Sequence, residues 1–234
     1  MRRVLAFERV RALSLRSTWV FPAVGVVISV LAAVLTNATA SDGWTATLSE
    51  YVPDSFTFIS ALFITVPFAQ SFGHEYRDGT MRLTLSLFPH RRQVFAAKLA
   101  VPALVAGAGA VVSVLAVTAV ALTSGHVTGA GALPSVLLRC VGFTLLWGLL
   151  VASVTVLTRN LAAGVTGVLI WYLLVEQLLL SLLGNQFPDL DQYVPLLNGQ
   201  KWMSTGEFRG AVVMLVPTLL VTAVALLRFE RKDA

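Results

Sequence analysis

Long apolar stretches separated by short polar segments dominate this sequence. Six of the stretches have the roughly 17 to 25 residues that an α-helix needs to cross the hydrocarbon core of a bilayer. They cover residues 19–35, 56–72, 99–123, 133–157, 161–183 and 211–227. We therefore predict an all-α membrane protein with six transmembrane helices, forming a single transmembrane domain over residues 1–234.

The amino-acid composition agrees with this pattern. Hydrophobic residues make up 56% of the chain and charged residues only 12%, whereas soluble domains carry about 25% charged residues. Too few polar side chains are present to cover a water-soluble globule. The net charge of +5 in so apolar a chain indicates contact with anionic lipid of the bilayer, and we expect no nucleic-acid partner. The single cysteine excludes an internal disulfide.

Basic residues concentrate in alternate segments between the predicted helices. Residues 1–18 hold five arginines, residues 73–98 hold five arginines and lysines, and residues 228–234 hold three more. The segments on the other side, 36–55 and 184–210, hold six acidic residues against two basic ones. Because Lys and Arg are retained on the cytoplasmic side, both termini are predicted to be cytoplasmic. We expect an integral protein of a bacterial cytoplasmic membrane.

Several catalytic motifs are absent from the sequence. No Gly-x-x-x-x-Gly-Lys-Ser/Thr loop is present, so the chain is not expected to hydrolyse ATP by itself. His74-Glu75 lacks the second histidine of a zinc-protease motif, and no Gly-x-Ser-x-Gly motif occurs. We predict no catalytic, cofactor-binding or metal site in this chain.

Two ionisable residues, Arg139 and Glu176, fall inside predicted membrane helices. A carboxylate in hydrocarbon is costly unless it is paired or faces water, so Glu176 is a candidate for a transport role. A structural role explains the position of Glu176 equally well: it could pair with Arg139, or it could be hydrogen-bonded near the outer interface. Trp147, Trp171 and Tyr172 lie near mid-membrane, where they line a substrate path or simply pack between helices.

Residues 71–99, SFGHEYRDGTMRLTLSLFPHRRQVFAAKL, carry a recognisable order of residues. A Glu is followed by Gly-Thr, an apolar stretch ending at Pro, an Arg and finally a Lys that enters the next helix. This order resembles the signature of the type-2 (export class) ABC transporter permeases. The resemblance implies that residues of this segment couple the permease to an ATPase, and we add the charged neighbours Asp78 and Arg82 to them. The full set is Glu75, Arg77, Asp78, Gly79, Thr80, Arg82, Leu83, Leu87, Pro89, Arg91 and Lys98.

The resemblance implies the permease subunit of an ATP-driven ABC exporter. A homodimer, or alternatively a heterodimer, of such subunits would bind two cytoplasmic ATPase subunits, and ATP and Mg would be held by those subunits and not by this chain. Residues 73–93 would form a cytoplasmic coupling helix with Met81, Leu85 and Phe88 as its apolar docking face. Residues 81–87 alternate in polarity as a strand does, but a lone strand has unpaired edges, so we predict a helix.

The same resemblance assigns roles to the two remaining segments. Residues 184–210 would form re-entrant extracellular helices that act as a gate, with Phe187 and Tyr193 in the outer leaflet. A surface loop with aromatic anchors is the alternative. Residues 1–18 are either an interfacial helix or a basic tail that sets topology.

The expected substrate is amphipathic or hydrophobic, such as a drug, natural product, peptide or lipid. Two other functions stay open at this point. One is a proton- or ion-coupled secondary transporter that uses Glu176. The other is a membrane anchor for an ATPase that transports nothing itself.

Overall fold

The computed structural model describes residues 2–40, 44–56, 58–125, 127–183 and 190–232. Within these residues the helices are α1 (Arg2–Ser14), α2 (Arg16–Thr39), α3 (Leu48–Ser55), α4 (Phe58–Arg77), α5 (Met81–Leu87), α6 (Arg91–Ser124), α7 (Leu133–Thr158), α8 (Leu161–Ile170), α9 (Gln177–Leu183), α10 (Pro195–Thr205) and α11 (Phe208–Lys232). A π-helical turn, Trp171–Glu176, joins α8 to α9, and 3₁₀ turns cover Ala130–Ala132 and Leu190–Gln192. The strands β1 (Ala46–Thr47) and β2 (Val127–Thr128) form one short parallel pair. The all-α prediction is confirmed.

Five helical segments of the described chain are long and apolar enough to cross a membrane: α2, α6, α7, the continuous α8 to α9 segment, and α11. A sixth crossing requires α3 and α4 together, which meet at a bend of 56°. The second predicted membrane helix, 56–72, therefore differs from the observed element. Helix α4 runs on to Arg77 through a polar last turn, and the apolar pattern alone does not predict that extension.

Helices α4, α6 and α7 form the centre of the bundle. Helix α2 packs against α4 and α6, whereas α8 and α11 pack against α7. Close approach depends on small residues, as is usual between membrane helices. A Cβ atom at Gly148 would lie only 2.3 Å from the Phe68 ring, and one at Gly164 only 1.8 Å from Thr155 Oγ1. Side chains at these two positions would push the helices apart.

A tight turn connects α7 to α8. Arg159 adopts a left-handed conformation with φ of 54°, and it ends α7. The next residue, Asn160, accepts a hydrogen bond from the Ala163 backbone N–H at 3.2 Å and so caps α8. This turn directs α8 back along α7, which is why Gly164 meets Thr155.

The two ends of the bundle carry different elements. Helix α5 lies between α4 and α6, and we call this the α5 end. Helix α3 precedes α4 at the other end of the bundle. There α3 contacts α10 and the strand pair. We call that the α10 end. Arg139 joins elements there, because its guanidinium donates to Ser49 Oγ at 2.7 Å and to the Ser204 carbonyl at 3.2 Å.

Candidate functional site

The turn from α4 into α5 depends on a glycine. Gly79 has φ of 68°, in the left-handed region that favours glycine. The Asp78 and Thr80 backbone N–H groups donate to the His74 and Glu75 carbonyls, which ends α4. The Gly-Thr of the sequence signature therefore forms the corner where the chain leaves α4 and enters α5.

Helix α5 has one apolar face toward the protein and another that is exposed. Met81 is buried, while Leu85 and Phe88 pack against the core, with the Phe88 ring 5.6 Å from the Phe7 ring of α1. Leu83 and Leu87 are 63% and 60% exposed. The helix prediction for this segment is confirmed. The predicted docking face of Met81, Leu85 and Phe88 is wrong, because those residues already pack within the chain; the exposed apolar pair is Leu83 and Leu87.

Charged side chains surround the exposed pair. Arg77, Asp78 and Arg82 are exposed, as are Gly79, Thr80 and Pro89. Arg77 Nε donates to Asp78 Oδ1 at 3.0 Å, and this hydrogen bond holds the pKa of Asp78 below its ordinary value. The α5 end thus presents two leucines among cations and one carboxylate that stays ionised.

Arg91 and Arg92, at the start of α6, already have partners within the chain. Arg92 pairs with the Glu230 carboxylate at the end of α11, and Arg91 donates to the Glu230 carbonyl. Their guanidinium groups therefore join α6 to α11. Arg92 is 79% exposed despite this ion pair, and pairing of the two arginines with another protein stays a prediction.

Glu75 and Lys98 lie inside the protein, in what we call the buried ion network of Glu8, Arg11, Glu75 and Lys98. Lys98 Nζ lies 2.8 Å from Glu8 Oε1 and 2.7 Å from Glu75 Oε1. Arg11 pairs with Glu75 and lies 3.6 Å from Glu8 Oε2. Lys98 is 0% exposed and Glu75 only 2%. This corrects the prediction that Glu75 contacts a partner surface, because its carboxylate is enclosed by the chain itself.

The buried ion network is balanced, with two carboxylates and two cations. Removing one charge from such a group leaves another buried without compensation, so the four residues hold one another in place. They also join three elements: Glu8 and Arg11 lie on α1, Glu75 on α4 and Lys98 on α6. Helix α1 is therefore anchored to the two helices that flank α5, and residues 2–14 are a packed helix and not only a basic tail.

Glu176 binds the beginning of α10. Its Oε1 accepts hydrogen bonds from Trp171 Nε1 and the Leu196 backbone N–H, both at 3.0 Å, and its Oε2 accepts from the Leu197 backbone N–H at 2.9 Å. Val194, the residue before α10, offers no side-chain acceptor to these N–H groups. A carboxylate at a helix N-terminus also interacts favourably with the helix dipole. Glu176 is thus the cap of α10, supplied by another helix.

The predicted Arg139–Glu176 pair is wrong. Arg139 donates its hydrogen bonds to Ser135, Ser49 and Ser204, whereas Glu176 is occupied by N–H groups of Trp171 and α10. Of the two structural explanations considered for Glu176, a hydrogen-bonded carboxylate describes this geometry.

The three mid-membrane aromatic residues have different surroundings. Trp147 is fully buried, with ring centroids 5.7 Å from Phe143 and 5.9 Å from Tyr172. Tyr172 donates its hydroxyl to Gln200 of α10 at 2.6 Å. Trp171 is half exposed and lines a cavity of about 360 Å³. Trp171 is therefore the one member of this trio that lines the cavity.

The proposed gate segment is described only from residue 190 onward. Phe187 lies outside the described residues, as do its neighbours from 184 to 189. Tyr193 is exposed, with the Arg209 guanidinium 5.9 Å from its ring centroid. Residues 195–205 form α10, which packs on α3, α7 and α11. Lys201 also bonds Asp191 at 2.7 Å, and this hydrogen bond lowers the pKa of Asp191.

One comparison with known proteins bears on this geometry. The sequence model of a family described as ABC-2 family transporter protein matches residues 12–176, more than half of the chain. The chain belongs to this ABC-2 family. The resemblance inferred from residues 71–99 is confirmed, since the match includes all of α4, α5 and α6. No curated protein matches the chain.

Membership of the ABC-2 family identifies the chain as a permease subunit of an ABC transporter, an integral membrane component that is not itself catalytic. Proteins of the ABC-2 family associate with ABC ATPase subunits. The matched region contains the exposed pair of α5 and the buried ion network apart from Glu8 and Arg11. Sequence analysis missed those two residues, although their spacing of three and their opposite charges indicate a pair on one helical face.

Proposed function

We propose that this ABC-2 permease subunit is the membrane part of an ATP-driven exporter and that α5 is its docking helix for a cytoplasmic ATPase. The observation that carries the proposal is the exposed pair Leu83 and Leu87 at the α5 end, surrounded by charged residues. An amphipathic helix that inserts two apolar side chains into a groove is a common mode of protein recognition. Basic residues on this side of the chain support a cytoplasmic position for it.

The energy of such a contact is large enough to matter. Complete burial of an exposed leucine side chain contributes about 1.5–3 kcal/mol. Since Leu83 and Leu87 are already about two-fifths covered, their burial by an ATPase contributes roughly 2–4 kcal/mol together. Arg77, Asp78 and Arg82 would add orientation and association rate more than affinity.

The buried ion network explains how motion of α5 would reach the membrane. The chain enters α5 from α4 and leaves it into α6, and Glu75 and Lys98 bind these two helices to each other. A displacement of α5 by the ATPase therefore moves α4, α6 and α1 together. In the proposed transporter two copies of the chain form a homodimer on two ATPase subunits, which hold ATP and Mg.

The proposed substrate is an amphipathic or hydrophobic molecule that enters from the cytosol or the inner leaflet. One feature supports this class: the described chain presents apolar side chains around the Trp171 cavity. Helix α10 is the proposed gate on the outer side, with Glu176 as the residue that fixes its first turn.

The experiment that tests docking is affinity purification of the chain from its native membrane in mild detergent. We expect a P-loop ATPase in stoichiometric amount with the wild-type chain and its loss with the double variant Leu83→Ala/Leu87→Ala. The matched control is Leu104→Ala/Leu122→Ala, which truncates two similarly exposed leucines of the membrane helix α6. Retention of the ATPase by the α5 variant, or equal loss from the control, would contradict docking through this pair.

Transport measurements separate this proposal from the two alternatives. For the exporter, inactivation of the ATPase abolishes transport and an uncoupler does not. A proton- or ion-coupled transporter working through Glu176 gives the reverse result. An anchor that transports nothing keeps its ATPase, but the rate of ATP hydrolysis does not respond to substrate.

A further inference from the structure

An apolar cavity of about 360 Å³ lies between α7, the α8 segment with its π-helical turn, the start of α10, and α11. Its volume falls within the range of about 300–1,000 Å³ that is usual for small-molecule sites. Its wall includes Val154 from α7, Gly167 and Trp171 from the α8 segment, Leu196 from α10 and Val221 from α11. Four separate helices therefore shape one space.

The chemistry of the wall is uniform. The described lining side chains are aliphatic or aromatic, and the polar atom among them, Trp171 Nε1, is already bound to Glu176. The wall therefore has no free side-chain group with which to recognise a charged or hydrogen-bonding ligand. A ligand gains affinity there only from burial of its own apolar surface, at about 25 cal/mol for each Å².

One wall of the cavity is fixed by Glu176. Pro195 and Leu196, at the start of α10, line the cavity, and the Leu196 backbone N–H donates to Glu176 Oε1 at 3.0 Å. Trp171 contributes its ring to the same wall and its indole N–H to the same carboxylate. The carboxylate thus holds the start of α10 and the Trp171 side chain together in this wall.

We propose that this cavity is a binding site for a hydrocarbon chain of an amphipathic molecule. The α8 to α9 segment, α7 and α11 are membrane-spanning candidates, so three of the four helices that line the site are ones that contact hydrocarbon in a bilayer. Trp171 is half exposed, which gives a chain a way in from the lipid. The proposal rests on the proposed function for the amphipathic class of molecule and deepens it by naming a binding site, which lies within the permease chain and needs no ATPase.

The test uses the full chain in nanodiscs of phosphatidylcholine and phosphatidylglycerol, with photoactivatable hydrocarbon as the probe. In one arm a trace phospholipid carries a diazirine on its acyl chain, and in the other a diazirine fatty acid is added free. Labelled peptides are mapped by mass spectrometry. We expect labelling to concentrate on the cavity wall, around Gly167 to Trp171 and around Val221.

Gly167→Leu is the variant that fills the cavity. A Cβ atom at Gly167 would lie 3.4 Å from Val154 Cγ1, an ordinary contact, and because Gly167 lines the cavity we expect a leucine side chain there to occupy part of the space. Labelling of the wall should fall about tenfold, equivalent to about 1.4 kcal/mol of binding free energy. The control Gly107→Leu adds the same side chain to α6, where a Cβ atom meets nothing within 4 Å. Val221→Phe fills the site from α11 and tests the same point if Gly167→Leu does not fold.

Each outcome has one meaning. Concentrated labelling that the filling variants reduce supports the site, and the arm that labels shows whether a bilayer phospholipid or a free amphiphile occupies it. Labelling spread evenly over the exposed residues of the helices, or unchanged by both filling variants, overturns it. Because no ATPase is present, failure here leaves the docking role of α5 untouched, and loss of docking leaves this result untouched.

Discussion

Replacing Lys98 with methionine should destabilise the permease subunit even when no partner is present. Methionine keeps an unbranched side chain of similar length and removes the ammonium group. Glu8 and Glu75 then lose hydrogen bonds of 2.8 and 2.7 Å. Two carboxylates remain in a buried position with Arg11 as the one cation of the network left to compensate them.

The size of the effect follows from the burial. Breaking a buried ion pair by removing one partner costs about 3–5 kcal/mol, because a charge is left without compensation. Lys98 is 0% exposed and both of its carboxylate partners are also buried, so the full cost applies. In a chain of this size each kcal/mol lowers Tm by roughly 2–4 °C, which gives a fall of roughly 6–20 °C.

The assay is thermal unfolding of the isolated chain in mild detergent, followed by tryptophan fluorescence. Lys201→Met is the matched control, because Lys201 also lies 2.7 Å from a carboxylate, that of Asp191, but both residues are about two-fifths exposed. Exposed ion pairs contribute little, so its Tm should change far less. The double variant Lys98→Met/Glu75→Gln removes one charge of each sign and should recover part of the loss.

One result would refute the reasoning. If Lys98→Met unfolds at the wild-type temperature but loses the ATPase, then Lys98 acts on the partner and not within the chain. Equal destabilisation by Lys98→Met and Lys201→Met would also contradict it, because burial would then have no influence on the energy of the pair.

Three further predictions concern other parts of the chain. Glu176→Ala leaves two backbone N–H groups of α10 unpaired and should lower stability by about 2–4 kcal/mol, while Glu176→Gln keeps one acceptor and should cost less; equal falls in Tm would contradict the cap. Gly164→Ala should destabilise the bundle by pushing α8 from α7, whereas Gly107→Ala, with open space around it, should leave Tm unchanged or higher. Because the single native cysteine is fully buried, Arg82→Cys and Thr205→Cys can be labelled with an impermeant maleimide. They should react from opposite sides of the membrane, and labelling of both from one side would contradict the predicted topology.

The sequence predicts the elements of this fold well, because hydropathy and length decide which segments can cross a bilayer. It also predicts that residues 81–87 are helical, since a strand there would have no sheet to join. It does not decide which face of that helix is exposed. Both Met81 with Leu85 and Leu83 with Leu87 are apolar pairs four residues apart, and only packing against the core of the folded chain distinguishes them.

The local sequence does not predict which groups surround the charged residues in the folded chain. Glu75 has charged neighbours in the chain, so it resembles a surface residue, whereas Lys98 lies among apolar residues at the edge of a predicted membrane helix. Their partner Glu8 lies 90 positions from Lys98. Arg139 is the opposite charge nearest to Glu176 by depth in the membrane. The groups that bind the Glu176 carboxylate are instead backbone N–H groups of α10. Backbone donors carry no mark in the sequence, so this partner appears only in the folded chain.

The buried ion network also has a consequence for the order in which the chain is assembled during synthesis. Glu8 leaves the ribosome first, with Arg11 three positions behind it as the cation that can reach it within the same helix. Glu75 then arrives at the end of α4 and shares that guanidinium. Lys98 is made only after α5 is complete. Until that moment the junction holds two carboxylates against one cation, so the N-terminal helix acquires its final anchor late, when the α5 segment has already been synthesised.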